Sequence, residues 1–206
     1  MKRPSLKAAA PWNLPALDQR PVIVAIAGPN GAGKSTFYEA HLKPAGLRFL
    51  NADVLAGELG IDAYQAAEVT AKLRREFVDQ RESFVFETVF SDPVGDKLAF
   101  LKDAVQRGYS VVVCFIGIAS VDRSEERVAM RVSQGGHDVP ADKLTARFPR
   151  TLANLKLAIQ QLPCVAIFDN DDMAAPFRLA AVYQNGQRIF STTSFPRWLK
   201  SIHPDI

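Results

Sequence analysis

Two rhythms of apolar residues alternate along this chain. Short, largely apolar runs at Val22 to Ile26, Phe84 to Phe90, Ser110 to Ile118 and Cys164 to Phe168 have the length and β-branched or aromatic content of buried strands. A shorter stretch, Arg48 to Leu50, reads as one more strand. Between these runs the apolar positions recur at helical spacing. Helices are predicted from Lys34 to about Lys43, stopping before Pro44, and from an Asp62 cap to about Arg81, with Ala66, Val69, Leu73 and Phe77 on one face. A third opens at Asp92-Pro93 and ends near Gly108. A fourth runs from Val121 to Val132 and is broken by Ser133-Gln134-Gly135-Gly136; a fifth runs from Pro140 to about Leu162. Arg178 to Tyr183 and Arg188 to Thr193 flank Asn185-Gly186, a hairpin signal, and Phe195 to Ile202 forms a final helical turn or two.

Strands alternating with helices predict an open, mostly parallel α/β sheet, in which sites form at the carboxyl ends of the strands. The stretch after the first strand says what kind of site. Gly28-Pro29-Asn30-Gly31-Ala32-Gly33-Lys34-Ser35, continued by Thr36, matches G-x-x-x-x-G-K-[ST], a phosphate-binding loop. Its glycines let the backbone curl until successive N–H groups face one anion, and the following helix adds its positive end. Lys34 then reaches the β- and γ-phosphates of a nucleoside triphosphate, and the Ser35 hydroxyl ligates Mg²⁺. The same rule selects Asp53 after the second strand, Glu87 and Thr88 ending the third, Gly117 to Ser120 ending the fourth and Asp169 ending the fifth.

Phosphoryl transfer also needs an acceptor base and positive charge on the moving oxygens. Asp53 and Glu87 are the candidate carboxylates: one accepts the acceptor's proton, the other holds Mg²⁺ through water or orients the substrate. The structural alternatives are a helix cap at Asp53 and a strand-end charge paired to an arginine at Glu87. Thr88 either bonds a substrate hydroxyl or merely finishes a strand. Arg127 and Arg131 share a helix face, and Arg147 and Arg150 open the next helix. With Gly135-Gly136 as a hinge they read as a lid, about residues 123–150, closing on the phosphates; a solvated charged face is the ordinary alternative. His137 in the hinge has no second His or Cys at metal spacing, so a zinc role is not indicated.

Composition narrows the class. The 206 residues are 48% hydrophobic and 23% charged, ordinary values for one globular domain, here residues 21–206. Residues 1–20 read as a surface extension with Trp12 and Leu14 as docking candidates. A net charge of +3, without a basic patch interleaved with aromatics, gives no argument for nucleic acid. Cys114 and Cys164 fall in apolar runs and read as buried free thiols in a reducing compartment. Pro11, Asn13 and Pro15 interrupt what would be a signal-peptide core, and no run approaches a membrane span. A soluble, cytoplasmic protein is expected.

GPNGAGKST at 28–36, NAD at 51–53, FVFET at 84–88, and RVSQGGHDVP at 131–140 followed by RFPRTLANL at 147–155 together resemble the zeta-toxin family of small kinases, in particular a short bacterial branch. The resemblance covers most of residues 21 to 160. It implies a three-layer, nucleotide-kinase-like P-loop NTPase fold with a mostly parallel central sheet and a helical lid, to which the sequence adds a C-terminal β-hairpin. It implies transfer of the γ-phosphate of ATP or GTP, with Mg²⁺, to a sugar hydroxyl of a nucleotide sugar, UDP-N-acetylglucosamine. By motif position, Asp53 is the catalytic base, Glu87 and Thr88 are substrate contacts, and Arg131 and Arg147 are lid arginines acting with Lys34. An antitoxin partner, known in the family, has no visible surface in this sequence. A small-molecule kinase with a different hydroxylated acceptor is one alternative, and two functions of other classes compete. One is an ATPase driving a partner: Val165 to Asn170 mimics the metal-binding strand of transporter-type enzymes, although Gln134 interrupts their serine–glycine signature and Asn170 replaces their glutamate. The other is a nucleotide-regulated binding protein without chemistry.

Overall fold

The computed structural model describes residues 14–136, 138–200 and 202. Seven strands form one sheet: β1 (Val22–Ala27), β2 (Arg48–Leu50), β3 (Phe84–Thr88), β4 (Ser110–Gly117), β5 (Cys164–Asp169), β6 (Arg178–Gln184) and β7 (Gln187–Ser191), in the order β2-β3-β1-β4-β5-β6-β7. β1 to β5 are mutually parallel, and β6 and β7 add an antiparallel edge. Helices α1 (Lys34–Phe37), α2 (Ala52–Leu59), α3 (Ala63–Asp79), α4 (Asp96–Gln106), α5 (Val121–Ser133), α6 (Ala141–Gln161) and α7 (Arg197–Lys200) connect and cover them. The expected α/β architecture with a parallel sheet and a C-terminal hairpin is present.

β1 is buried at every position because both its faces are covered. Ile23, Ala25 and Ala27 join the core under α3, α4, α6 and α7. Val22, Val24 and Ile26 join a second core with Phe37, Tyr38 and Leu42 from α1 and its continuation. Leu14 and Leu17 are buried in that second core, and the Ser110 hydroxyl donates to the Ala16 carbonyl at 2.7 Å. Residues 14–20 therefore pack into the fold; Trp12 lies outside the described residues. Cys114 and Cys164 are buried free thiols, and burial pushes both pKa values up, that of Cys164 to about 11.

Four segments differ from the periodicity reading. The helix after the phosphate loop is α-helical only to Phe37, then π-helical over Tyr38–Leu42 and 3₁₀ over Lys43–Ala45. Pro44 has no N–H to donate, so the last turn tightens before Gly46 reverses it at φ +66°. α2 was not predicted: it buries no residue, so it has no apolar stripe to read, and its start is set by Asn51, whose side chain caps it. β3 ends at Thr88, not Phe90. The Thr88 hydroxyl accepts the Phe90 N–H at 3.0 Å, and Phe90 turns left-handed (φ 60°) to bury its ring. α4 begins at Asp96 because Gly95, at φ +77°, is its N-cap.

The C-terminal helix is keyed into the sheet end. Trp198 Nε1 donates to Asp169 Oδ1 at 2.9 Å, and Arg178 Nη2 to Asp169 Oδ2 at 3.0 Å. A Cβ on Gly117 would lie 2.1 Å from the Trp198 ring. Gly117→Ala must therefore displace that ring, and a loss of about 1–3 kcal/mol is expected from urea unfolding. An unchanged midpoint would mean that Trp198 does not dock there.

Candidate active site

The phosphate loop joins β1 to α1, and three glycines carry it. Gly28, Gly31 and Gly33 have φ of +145°, +71° and +89°. Each also sits against a neighbour that leaves no room for a side chain. A Cβ would meet the Ile116 carbonyl at 2.1 Å from Gly28, the Ser124 carbonyl at 2.9 Å from Gly31, and Asn170 Nδ2 at 2.7 Å from Gly33. Two side chains tie the remaining carbonyls down: Ser124 Oγ donates to Asn30 O at 2.7 Å, and Asn170 Nδ2 donates to Ala32 O at 2.8 Å. Pro29 and Ala32 are buried, and Ser35 and Thr36 are exposed at the first turn of α1.

Lys34 points back into this loop. Its Nζ donates to Pro29 O at 2.9 Å and lies 3.8 Å from Glu87 Oε1, with only 6% of the side chain exposed. Burial lowers its pKa; Glu87 and Asp53 pull it back up, and Arg131 lowers it further. Those four charges thus share one electrostatic neighbourhood. Glu87 is the hub. β3 runs beside β1 in the register Ile26↔Glu87 and Ala27↔Thr88, which sets Glu87 next to the loop. Its Oε2 accepts the Ser35 hydroxyl at 2.8 Å and the Asn51 amide at 2.9 Å. Asn51 meanwhile accepts the Asp53 and Val54 N–H groups at 2.8 and 3.3 Å. One buried asparagine therefore fixes both Glu87 and the start of α2, where the Asp53 carboxylate stands exposed.

The arginines divide. Arg131 ends α5, where the chain reverses: Gly135 sits at φ +87°, and a Cβ on Gly136 would lie 2.6 Å from Arg131 Cγ. The double glycine thus sets the chain close against Arg131. Arg127 Nη2 donates to Asp171 O at 3.0 Å, and Arg123 is bonded to Glu126 at 3.1 Å. Arg147 is half-buried and Arg150 exposed in the first half of α6, and neither bonds another described residue. His137 lies outside the described residues.

Sequence reasoning passed over four positioning side chains: Asn51, Ser124, Asn154 and Asn170. Asn154 Nδ2 donates to Phe90 O and Asp92 O at 2.9 and 3.0 Å, and Thr151 Oγ1 donates to Val89 O at 2.9 Å, so α6 holds the loop that follows Glu87 and Thr88. Asn51 and Asn154 lay inside motifs already singled out, and Asn170 stood out only as replacing a glutamate; Ser124 carried no signal beyond being a polar residue near a helix start.

Among the described residues no helix is long and apolar enough to cross a membrane, and no group of three or more His, Cys, Asp or Glu is arranged to hold a metal ion. A family model described as an AAA domain matches residues 23–156, more than half of the chain. No curated protein matches the sequence significantly. Among solved structures, a chain of the AvrRxo1-ORF1:ORF2 complex with ATP is 16% identical with a TM-score of 0.66, covering 89% of this chain and 63% of its own. This chain thus spans less than two thirds of that relative's length. A chain from work on the PezAT chromosomal toxin–antitoxin system of Streptococcus pneumoniae is 14% identical (TM-score 0.55; 89% and 77% covered). A candidate kinase of Chloroflexus aurantiacus is 21% identical (TM-score 0.50; 74% and 90% covered). At these identities the likeness is one of fold, a P-loop kinase-like α/β fold.

Two outcomes follow from the geometry. Asn170→Ala leaves Ala32 O and the Phe177 N–H, which it accepts at 3.2 Å, without their partner. A loss of about 1–3 kcal/mol in urea unfolding is expected, with weaker nucleotide binding in a fluorescent-analogue titration; full affinity at full stability would remove Asn170 from the loop's support. Lys34 carries a depressed native pKa, below the ordinary 10.5. Between the two values the unfolded chain binds more protons, so Lys34 makes stability rise with pH through that window. In Lys34→Met that part of the rise should vanish from urea midpoints measured against pH.

Proposed function

This chain belongs to the AAA-domain family, and we propose that it is a kinase of the zeta-toxin type, moving the γ-phosphate of ATP or GTP to a sugar hydroxyl of a nucleotide sugar such as UDP-N-acetylglucosamine. The observation that carries this reading is the meeting of three motifs at one carboxylate: Lys34 and Ser35 of the loop, and Asn51 of NAD, all reach Glu87 of FVFET. The domain is proposed to be residues 21–206, with the lid at about 123–150.

In the proposed reaction the acceptor hydroxyl oxygen bonds to the γ-phosphorus, its proton passes to Asp53, and the bond to the β-phosphate oxygen breaks, releasing nucleoside diphosphate. Backbone N–H groups of residues 28 to 36 would cradle the phosphates, and Lys34, Arg131 and Arg147 would carry the countercharge. Thr88 accepts the Phe90 N–H with its oxygen, which leaves its hydroxyl hydrogen for the substrate. Ser35 Oγ and Glu87 Oε2, 2.8 Å apart, are the hard oxygen donors that suit Mg²⁺, which takes few protein ligands and keeps phosphate and water oxygens for the rest. Mg²⁺ would neutralise charge on the β- and γ-phosphates. The lid would turn on Gly135-Gly136 and on Pro149, which leaves the Thr145 carbonyl without its helical donor. An antitoxin partner is supported only by the fold shared with the PezAT chain.

The test is consumption of Mg-ATP or Mg-GTP with and without UDP-N-acetylglucosamine, followed by mass analysis of the sugar nucleotide. One added phosphate is expected, abolished in Asp53→Asn while nucleotide affinity persists. Triphosphate loss with an unmodified sugar would refute the acceptor, and unchanged turnover in Asp53→Asn would refute the base. Glu87→Gln should lower kcat by about 10²-fold or more with a small change in nucleotide Kd.

A further inference from the structure

α3 and α4 cover the same face of β3, and between them lies a cleft of about 500 Å³ away from the phosphate loop. Its lining includes Arg74, Arg75, Lys97, Phe100 and Arg107. Arg74 is the unusual member. Its guanidinium lies over the Phe86 ring at 5.1 Å and the Phe100 ring at 5.6 Å. It forms no hydrogen bond or ion pair with another described residue. The two rings offset part of the cost of taking a cation out of water, but they leave the planar N–H fork unused. Burial, with Arg75 nearby, brings its pKa down to about 10, so it stays charged at neutral pH.

The carboxylates of the cleft do not answer this charge. Asp79 and Asp103 are both bonded to Arg107, at 2.6 and 3.1 Å. Asp96 is exposed in the first turn of α4, where the helix end favours a negative group. Arg75 and Lys97, like Arg74, have no acidic partner among the described residues. Three unanswered cations on one cleft, one a guanidinium between two aromatic rings, match a dianion better than a single carboxylate.

We propose that the α3–α4 cleft is a second anion site, centred on Arg74 and taking a phosphate-bearing small molecule. It is independent of the kinase reading and of the acceptor's identity. Arg74 would supply a two-pronged contact to phosphate oxygens, Lys97 and Arg75 the remaining charge, and Phe100 an apolar wall for whatever carries the phosphate.

The probe is inorganic phosphate, added at constant ionic strength to the full chain already saturated with Mg²⁺ and a non-hydrolysable ATP analogue, so that the phosphate loop does not report. Two readouts apply: the Arg74 Nε–Hε resonance, assigned by its loss in Arg74→Lys, and the phosphate-dependent rise in Tm. A saturable shift of that resonance is expected, together with an apparent affinity at least about tenfold weaker in Arg74→Met. Met keeps an apolar cover on Phe86 and Phe100. If that variant does not fold, Arg75→Gln with Lys97→Gln at the rim should weaken the same titration. No saturable shift in the unsubstituted chain, or an equal phosphate response in folded Arg74→Met, would overturn the site. A response to acetate as strong as that to phosphate would overturn the phosphate assignment.

Discussion

How tightly the phosphate loop is pressed onto its neighbours governs the rest of the site. Gly28 lies on the β4 carbonyl of Ile116, Gly31 against α5 at Ser124, and Gly33 against Asn170 beyond β5, each too close for a Cβ. A loop held on three sides by tertiary contacts does not need the ligand to shape it. Ser124 and Asn170 finish the job by occupying loop carbonyls that would otherwise compete for the loop's own N–H groups. Binding is then spared part of the ordering cost that a flexible loop would incur.

That arrangement forces a second one. Lys34 is buried against the loop, so its charge is desolvated, which is why its pKa falls. The fold tolerates it by giving the ammonium a carbonyl and a nearby carboxylate. The carboxylate is in turn satisfied by Ser35 and Asn51, so Glu87 does not collapse fully onto the lysine and stays at 3.8 Å. A phosphate group would be a stronger partner for Lys34 than the Pro29 carbonyl and the Glu87 carboxylate at 3.8 Å. The site is thus organised around a cation whose protein partners only partly replace water.

What could be read from sequence follows the same physics. The β1 strand, the loop and the parallel sheet were legible because buried strands are unbroken apolar runs and the loop is constrained residue by residue. Asp53 and Glu87 were singled out as strand-end polar groups and Lys34 by the loop motif, and the charges of Glu87 and Asp53 both act on Lys34. α2 was not, since a helix that buries nothing leaves no periodicity. The double glycine was legible as a break but not as the surface against which Arg131 packs, which only the fold reveals. Asn170 was noticed for what it was not, a glutamate; its use as a clamp on Ala32 depends on contacts 138 residues apart in sequence.

The strand order also bears on the competing reading of a partner-driving ATPase. That reading needed Val165 to Asp169 as the metal-binding strand. β5 pairs with β4, not with β1, so Asp169 stands two strands from the loop, and both its oxygens are engaged by Trp198 and Arg178. β1 is flanked by β3 and β4, and the carboxylate that accepts from Ser35 is Glu87 at the end of β3. The Asp169 carboxylate accepts one hydrogen bond on each oxygen from the groups that anchor the C-terminal segment, whereas Glu87 touches the hydroxyl that would share a metal. The resemblance of Val165 to Asn170 to a metal strand is therefore a likeness of composition: a buried β-strand ending on an acid, placed by the sheet where it braces the fold and not the phosphates.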